Sequence, residues 1–343
     1  MHHVLSIDAV YDLALPHVAV IPVLGLPTRF ATNEPAMLEI VDEAFGVWRA
    51  LAGHDGLDTE AGGIVHVRIA VAADGGDDAI DAAGAPISHE MSDDLRFVAR
   101  SAGSVAASDP ARRSATISAT RALVADRARF RTEMLEAVVL ALLSCYDRHP
   151  IHAAAVAHRG HALLLAAPSG TGKSTLAYAC HSAGLDLLGD DHVRVQLSPT
   201  LRVWGWPARV RLLGETAARM GVAHPAVQMM NGKVKTVIDA RDGVGAGRLV
   251  ATHATVCVLA REGGAVSLEP LTPDALARAL EEQLMPGFDR FPARWPEVVR
   301  TLTAHGGWRL NLSSDARDAV PFVRELLTMS APRTATSPAT ATD

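Results

Sequence analysis

The stretch HALLLAAPSGTGKSTL, residues 161–176, limits what this chain can fold into more than any other segment. An unbroken apolar run is followed by a turn of small residues, and Gly172, Lys173, Ser174 and Thr175 then lead into an Ala/Leu-rich stretch. That is strand, loop and helix in the order a P-loop needs. Glycines in such a turn let the backbone come close to a phosphate with its N–H groups pointing inward, so Ser169, Gly170, Thr171 and Gly172 form the candidate cradle. Lys173 would neutralise β/γ-phosphate charge, Ser174 would hold Mg2+, and the following helix presents its positive end to the anion. Ala167 stands where the strict pattern has its first Gly, which requires its φ to stay negative. A plain Gly-rich turn is the alternative, and the flanking strand and helix patterns argue against it.

Composition narrows the partner. With 32 basic and 38 acidic residues in 343 the net charge is −6, and no basic stripe tracks a nucleic-acid backbone, so no nucleic-acid partner is expected. The N-terminus lacks a basic segment followed by an apolar run, and no apolar stretch reaches the roughly 18 residues of a membrane span. No membrane association is expected. Cys145, Cys180 and Cys257 lie far apart without CxxC or Cys/His metal spacing, which fits a reducing cytoplasm rather than a disulfide or zinc scaffold. Three of the 32 basic residues are lysine, at 173, 233 and 235, and the other 29 are arginine. In a chain that fills its cation positions with Arg, each Lys is a candidate for a place that needs a compact ammonium.

The chain reads as two α/β modules. Residues 1–118 alternate strand-like runs (VAVIPVLGL, GGIVHVRIAVAA, LRFVARSAGSVAAS) with the amphipathic segment EPAMLEIVDEAFGVWRALAG, a small module expected to recognise a substrate or partner. Its acidic loop DGGDDAIDAAG does not match EF-hand spacing and reads as a solvated turn. Over 119–148, Phe130, Met134, Val138, Leu142 and Tyr146 recur every four residues, which predicts an amphipathic helix linking the modules. Residues 149–329 carry the P-loop among many strands and few long helices, with helices expected at 173–183 (capped by Gly184), 273–284 and 316–328. The tail 330–343 is low in large apolar residues and is expected to be disordered.

Around the P-loop stand further candidates. LLGDDHV puts Asp190 and Asp191 at the end of an apolar strand, 17 and 18 residues after Lys173. Two adjacent carboxylates there can divide Mg2+ binding from acceptance of a substrate proton, although paired acids also occur in ordinary turns. His152 precedes Lys173 by 21 residues at the start of a strand. In VWGWPARVRLL, Arg209 and Arg211 share one face if extended, either as phosphate contacts or as solvated surface residues. Lys233 and Lys235 likewise share a face, either in the site or on a solvated edge. Arg248 lies within the glycine-rich DGVGAGRLV, either a loop that closes on substrate or a bare hairpin.

His152, the AVAHRGHALLLAAPSGTGKST strand pair and the DD of LLGDDHV, in this order and spacing, resemble the catalytic domain of bacterial HPr serine kinase/phosphorylase. Over residues 149–260 the chain looks more like the HPr-kinase-related proteins, some encoded in peptide natural-product gene clusters of the lasso-peptide type, where certain members phosphorylate a precursor peptide. The resemblance implies a mixed, β-rich P-loop core akin to phosphoenolpyruvate carboxykinase, ATP and Mg2+ as cofactors, assembly into homo-oligomers, and phosphoryl transfer to a Ser/Thr hydroxyl of a peptide or small protein. By position it implies Asp191 as the acid/base, Asp190 as metal or geometric support, with these roles exchangeable, and His152 as the group that polarises them. The chain departs from the family at Thr175, where a glutamate is usual, and at VWGWPARVRLL, which replaces the second signature and removes grounds for a phosphorylase reaction. A nucleotide-binding regulator or assembly factor without a phosphoacceptor, and a small-molecule kinase, are the alternative functions.

Overall fold

The computed structural model describes residues 7–51, 63–72, 85–191, 193–206, 209–222, 226–230, 233–239, 249–282 and 294–329. Among the sequence candidates, Arg248, the acidic loop and the tail 330–343 lie outside the described residues, as do the side chains of Arg209 and Lys233. The chain is a mixed α/β protein with several sheets, two of them combining parallel and antiparallel pairs.

The N-terminal residues build a seven-stranded sheet from β1 (His17–Val23), β2 (Leu26–Thr32), β3 (Val65–Val71), β4 (Ser88–Met91), β5 (Phe97–Ser101), β6 (Ser104–Asp109) and β7 (Ser114–Ala119). Their spatial order is β1-β2-β3-β7-β6-β5-β4. The helix Met37–Phe45 and the helical run Phe130–Ser144 cover the sheet, with Phe130, Met134, Val138 and Leu142 fully buried as their four-residue spacing requires. The segment read as a link packs into the first core. A π-helical turn at Phe130–Glu136 lies within it.

The C-terminal residues centre on a six-stranded sheet of β9 (Ala153–His158), β10 (His161–Ala166), β11 (Asp186–Gly189), β18 (His253–Ala260), β19 (Ser267–Leu271) and β20 (Gly307–Asn311), ordered β11-β9-β10-β18-β20-β19. Strands β10, β18 and β20 run parallel to one another, while β9 pairs antiparallel with β10 and β11, and β19 pairs antiparallel with β20. A strand covered on both faces reads as a continuous apolar run, and HALLLA is buried throughout. One face packs on the helices Lys173–Ser182 and Val320–Met329, through Leu163, Leu165, Leu176, Cys257 and Leu326. The other packs on the helices Pro273–Glu281 and Trp295–Thr303 and on a four-stranded antiparallel sheet. That sheet contains β8 (His149–Ile151), β12 (Val193–Gln196), β13 (Arg202–Trp204) and β17 (Val250–Ala251). A third sheet joins β14 (Arg209–Leu213), β15 (Ala226–Met230) and β16 (Lys233–Asp239).

The two halves meet at β13. Trp204 is 1% exposed within the N-terminal core, and Gly25 (φ +78°) lies so close that a Cβ there would come 2.3 Å from its ring. Buried Arg148 stacks over Trp204 at 5.1 Å and donates from Nε to the Leu24 carbonyl at 2.8 Å. Two residues on, Trp206 reaches the rings of Phe45 and Trp48.

Candidate functional site

Sheet register brings the sequence candidates to one edge. Ala153 opens β9 opposite Ala166, which closes β10, so His152 and Ala167 lie at the same end of adjacent antiparallel strands. Gly189 closes β11 opposite Ala155, which delivers Asp190 and Asp191 to that edge as well. Three loops that were 15 to 40 residues apart in sequence thus converge because the strands alternate in direction.

The loop itself has the geometry its residues suggest. Gly170 and Gly172 take φ of +93° and +123°, a region closed to most side chains, whereas Ala167 is not among the positive-φ residues and tolerates its Cβ. Lys173 opens the helix, is 4% exposed, and folds back so that Nζ donates to the Ala167 carbonyl at 2.7 Å and to Pro168 at 3.4 Å. Burial pulls its pKa down, opposed by Asp191 and Asp190 and aided by Lys235. The far end of the helix closes on Gly184 (φ +88°), whose N–H bonds to His181 while Leu185 N–H bonds to Cys180, the paired bonds of a Schellman cap.

The two aspartates have different surroundings. Asp190 is 7% exposed; its Oδ2 accepts the Arg211 backbone N–H at 2.9 Å, and its Oδ1 is buried with no hydrogen-bond partner. Burial first, then the charge of Asp191, raises the Asp190 pKa to about 6, against the Arg211 N–H, the Ser174 hydroxyl and the Arg211 charge. Asp191 is half-buried and adopts φ +62°, a left-handed conformation that Asp enters more readily than bulkier residues. That bend gives neighbouring carboxylates separate environments. His152 is half-buried beside them: burial and the Lys173 charge lower its pKa, while Asp191 raises it through charge and a backbone hydrogen bond.

Lys235 belongs to this neighbourhood, since its charge lowers the pKa of both Lys173 and His152. Arg211 contributes differently from the sequence expectation: its backbone amide grips Asp190, and its guanidinium lends charge to the same carboxylate. Its strand is an edge strand of the β14-β16-β15 sheet, with Val210 and Leu212 buried in the core of the C-terminal half. Gly205 explains part of Asp190's position, because a Cβ there would lie 2.4 Å from the Leu188 carbonyl oxygen, two residues before Asp190.

Arg261, absent from the sequence candidates, also lies at this edge. It follows β18, and its Nε donates to the Thr171 carbonyl and its Nη1 to the Ser313 carbonyl, each at 3.3 Å. No local sequence signal marks it; only the parallel pairing of β10 with β18 brings it to the loop.

The donor set suits Mg2+. That ion is held by one or two carboxylates with other oxygens supplied by substrate phosphates, and Asp190 offers a buried, unpartnered oxygen next to the Ser174 hydroxyl. Among the described residues, no cluster of three or more His, Cys, Asp or Glu forms a protein-only metal cage. The three cysteines are free thiols, and no helix among the described residues is long and apolar enough to cross a membrane.

No family model and no curated protein matches the chain. Among solved structures, the HPr(Ser) kinase/phosphatase from Coxiella burnetii aligns with 53% of this chain and 95% of its own length, at 12% identity and a TM-score of 0.28. A likeness of that size does not separate a shared fold from shared local elements, so the functional reading stands on the residues themselves.

Proposed function

We propose that the protein is an ATP-dependent kinase that transfers the γ-phosphoryl group to a Ser or Thr hydroxyl of a peptide or small protein, biosynthetic precursor peptides included. The observation that carries this reading is the convergence of Lys173, Ser174, Asp190, Asp191, His152 and Lys235 on one strand edge. Ser169–Thr175 cradle the phosphates with backbone N–H groups, while Lys173, Lys235 and Arg211 balance their charge. Asp190 and Ser174 would hold Mg2+, which would supply positive charge to neutralise the phosphates.

The two carboxylates take different tasks because their surroundings differ. Asp191, the more open of the pair, accepts the proton of the acceptor hydroxyl as that oxygen bonds to the γ-phosphorus. The bond from the γ-phosphorus to the β,γ-bridging oxygen breaks, and ADP leaves with the electron pair. His152 lies against Asp191 and sets its orientation. Phosphoryl transfer asks mainly for alignment and charge neutralisation, both of which this set supplies.

The test is incubation with γ-labelled ATP, Mg2+ and a lysate of the encoding organism, beside Asp191→Asn. We expect label in a peptide or protein with the wild type alone, and ATP affinity in Asp191→Asn within about threefold of wild type. Free labelled phosphate as the sole product would replace the kinase with a nucleotide-binding regulator. Wild-type transfer by Asp191→Asn would remove Asp191 as the base.

A further inference from the structure

The carboxyl ends of β10, β18 and β20 lie side by side, since Ala166 pairs near Val258 and Ala260 pairs with Asn311. In open sheets this is the end at which ligands bind. The three loops leaving it are the phosphate loop, Arg261–Ala265, and Leu312–Asp315. The sequence motif accounts for the first of them only.

Arg261 ties all three together. Its guanidinium takes the Thr171 carbonyl of the phosphate loop with one nitrogen and the Ser313 carbonyl of the third loop with another. Its Nη2 packs so closely on Gly172 that a Cβ there would lie 3.2 Å away, and Leu312 Cδ1 would lie at the same distance. Gly172 at φ +123° is therefore enclosed as well as strained for any other residue. The Arg261 loop is in turn fastened by Asn311, whose Oδ1 accepts the Glu262 N–H at 2.8 Å and whose Nδ2 donates to the Gly263 carbonyl at 3.0 Å and to Ala265 at 3.4 Å. Gly263 and Gly264, both at positive φ, let that loop turn sharply enough to be held.

We propose that Arg261 is a positioning residue for the nucleotide's phosphate tail: it clamps Thr171 and Gly172 in the conformation that presents the loop's N–H groups, using a planar fork that Lys cannot reproduce. The proposal deepens the kinase reading and rests on it for the identity of the ligand. A guanidinium presents several N–H groups in fixed geometry, so one side chain can hold two carbonyls at once, whereas an ammonium on a flexible stem acts as a point charge. A loop held in its binding shape before the ligand arrives loses less freedom on binding.

The experiment compares Arg261→Ala, Arg261→Lys and Lys173→Ala with wild type in two measurements: ATP and ADP affinity by calorimetry, and backbone 15N order parameters at Gly170–Gly172 without nucleotide. We expect Arg261→Ala to lower the order parameters, to weaken ATP and ADP alike by about tenfold, and to leave the thermal midpoint unchanged because the side chain is exposed. Arg261→Lys should lie nearer to Ala than to Arg. Wild-type loop order and affinity in Arg261→Ala, with ATP binding lost in Lys173→Ala, would overturn the clamp and leave the nucleotide site standing. Arg261→Lys indistinguishable from wild type would overturn it too, because a point charge would then suffice. Loosened loop order in Arg261→Ala, with no ATP affinity to lose in any variant, would support the clamp and overturn the kinase reading instead.

Discussion

Asp190 should make the nucleotide-free protein less stable than it would be with an uncharged side chain. The carboxylate is 7% exposed, with one oxygen on the Arg211 N–H and the other without a partner. Burial and the Asp191 charge raise its pKa from 3.8 to about 6. At 1.36 kcal/mol per unit this amounts to about 3 kcal/mol. The folded-state pKa lies above the unfolded one, so the folded protein binds the proton more tightly. The destabilisation is absent below the unfolded pKa, grows as pH rises between the two values, and is complete above the folded pKa. Asp190→Asn keeps an oxygen for the Arg211 N–H and removes the charge, but places an NH2 group where Oδ1 was, which offsets about 1 kcal/mol. The variant should therefore be more stable than wild type by about 2 kcal/mol at pH 8, raising the thermal midpoint by about 4 °C, and about equal to it near pH 4.5. Scanning calorimetry of both proteins without nucleotide at the two pH values measures this. Adding Mg2+ and ATP at pH 8 should reverse the order, since only the wild type gains a ligand. An Asp190→Asn protein that is less stable at pH 8, or a gap that does not narrow toward pH 4.5, would refute the reasoning.

Two further predictions follow from the same geometry. Lys235→Gln should raise the His152 pKa, because it removes a cation that favours the neutral imidazole; an NMR titration of His152 that stays in place or moves down contradicts the assignment of Lys235 to the site. Gly25→Ala should destabilise the fold by about 2 kcal/mol, from the overlap with Trp204 and the strain of a side chain at φ +78°, read as a lowered urea midpoint at unchanged slope.

What the sequence made visible follows the range of the forces involved. The strand, loop and helix around Lys173 rest on neighbours in the chain: a continuous apolar run for a strand buried on both faces, glycines where φ is positive, and Gly184 at the helix end. Asp190, Asp191 and His152 were visible as candidates because each flanks such a run. The strand β7, SATISA, was not, although it is buried along its whole length between β3 and β6; its small Ser, Thr and Ala side chains carry no apolar signal. Arg261 and Asn311 were equally silent, since their positions depend on pairing between strands that bring together residues about 90 and 140 positions from the loop's Thr171. Arg211 was selected for its side chain, yet its main contact with Asp190 is a backbone amide, a group every residue but proline has.

The segment Val203–Trp206 joins the placement of Asp190 to the packing of the N-terminal sheet. Trp204 and Trp206 bury their rings among N-terminal residues, and the backbone between them passes so close to Leu188 that only glycine fits at 205. Leu188 leads through Gly189 to Asp190, and the strand that follows Trp206 returns the Arg211 N–H to the same carboxylate. The aspartate is thus held on both sides by chain that is anchored in the first core. Interiors packed at crystal-like density pass a displacement on rather than absorb it. Removing the N-terminal sheet would therefore expose two indoles and free both supports of Asp190, which makes that sheet part of the site's construction whatever else it binds.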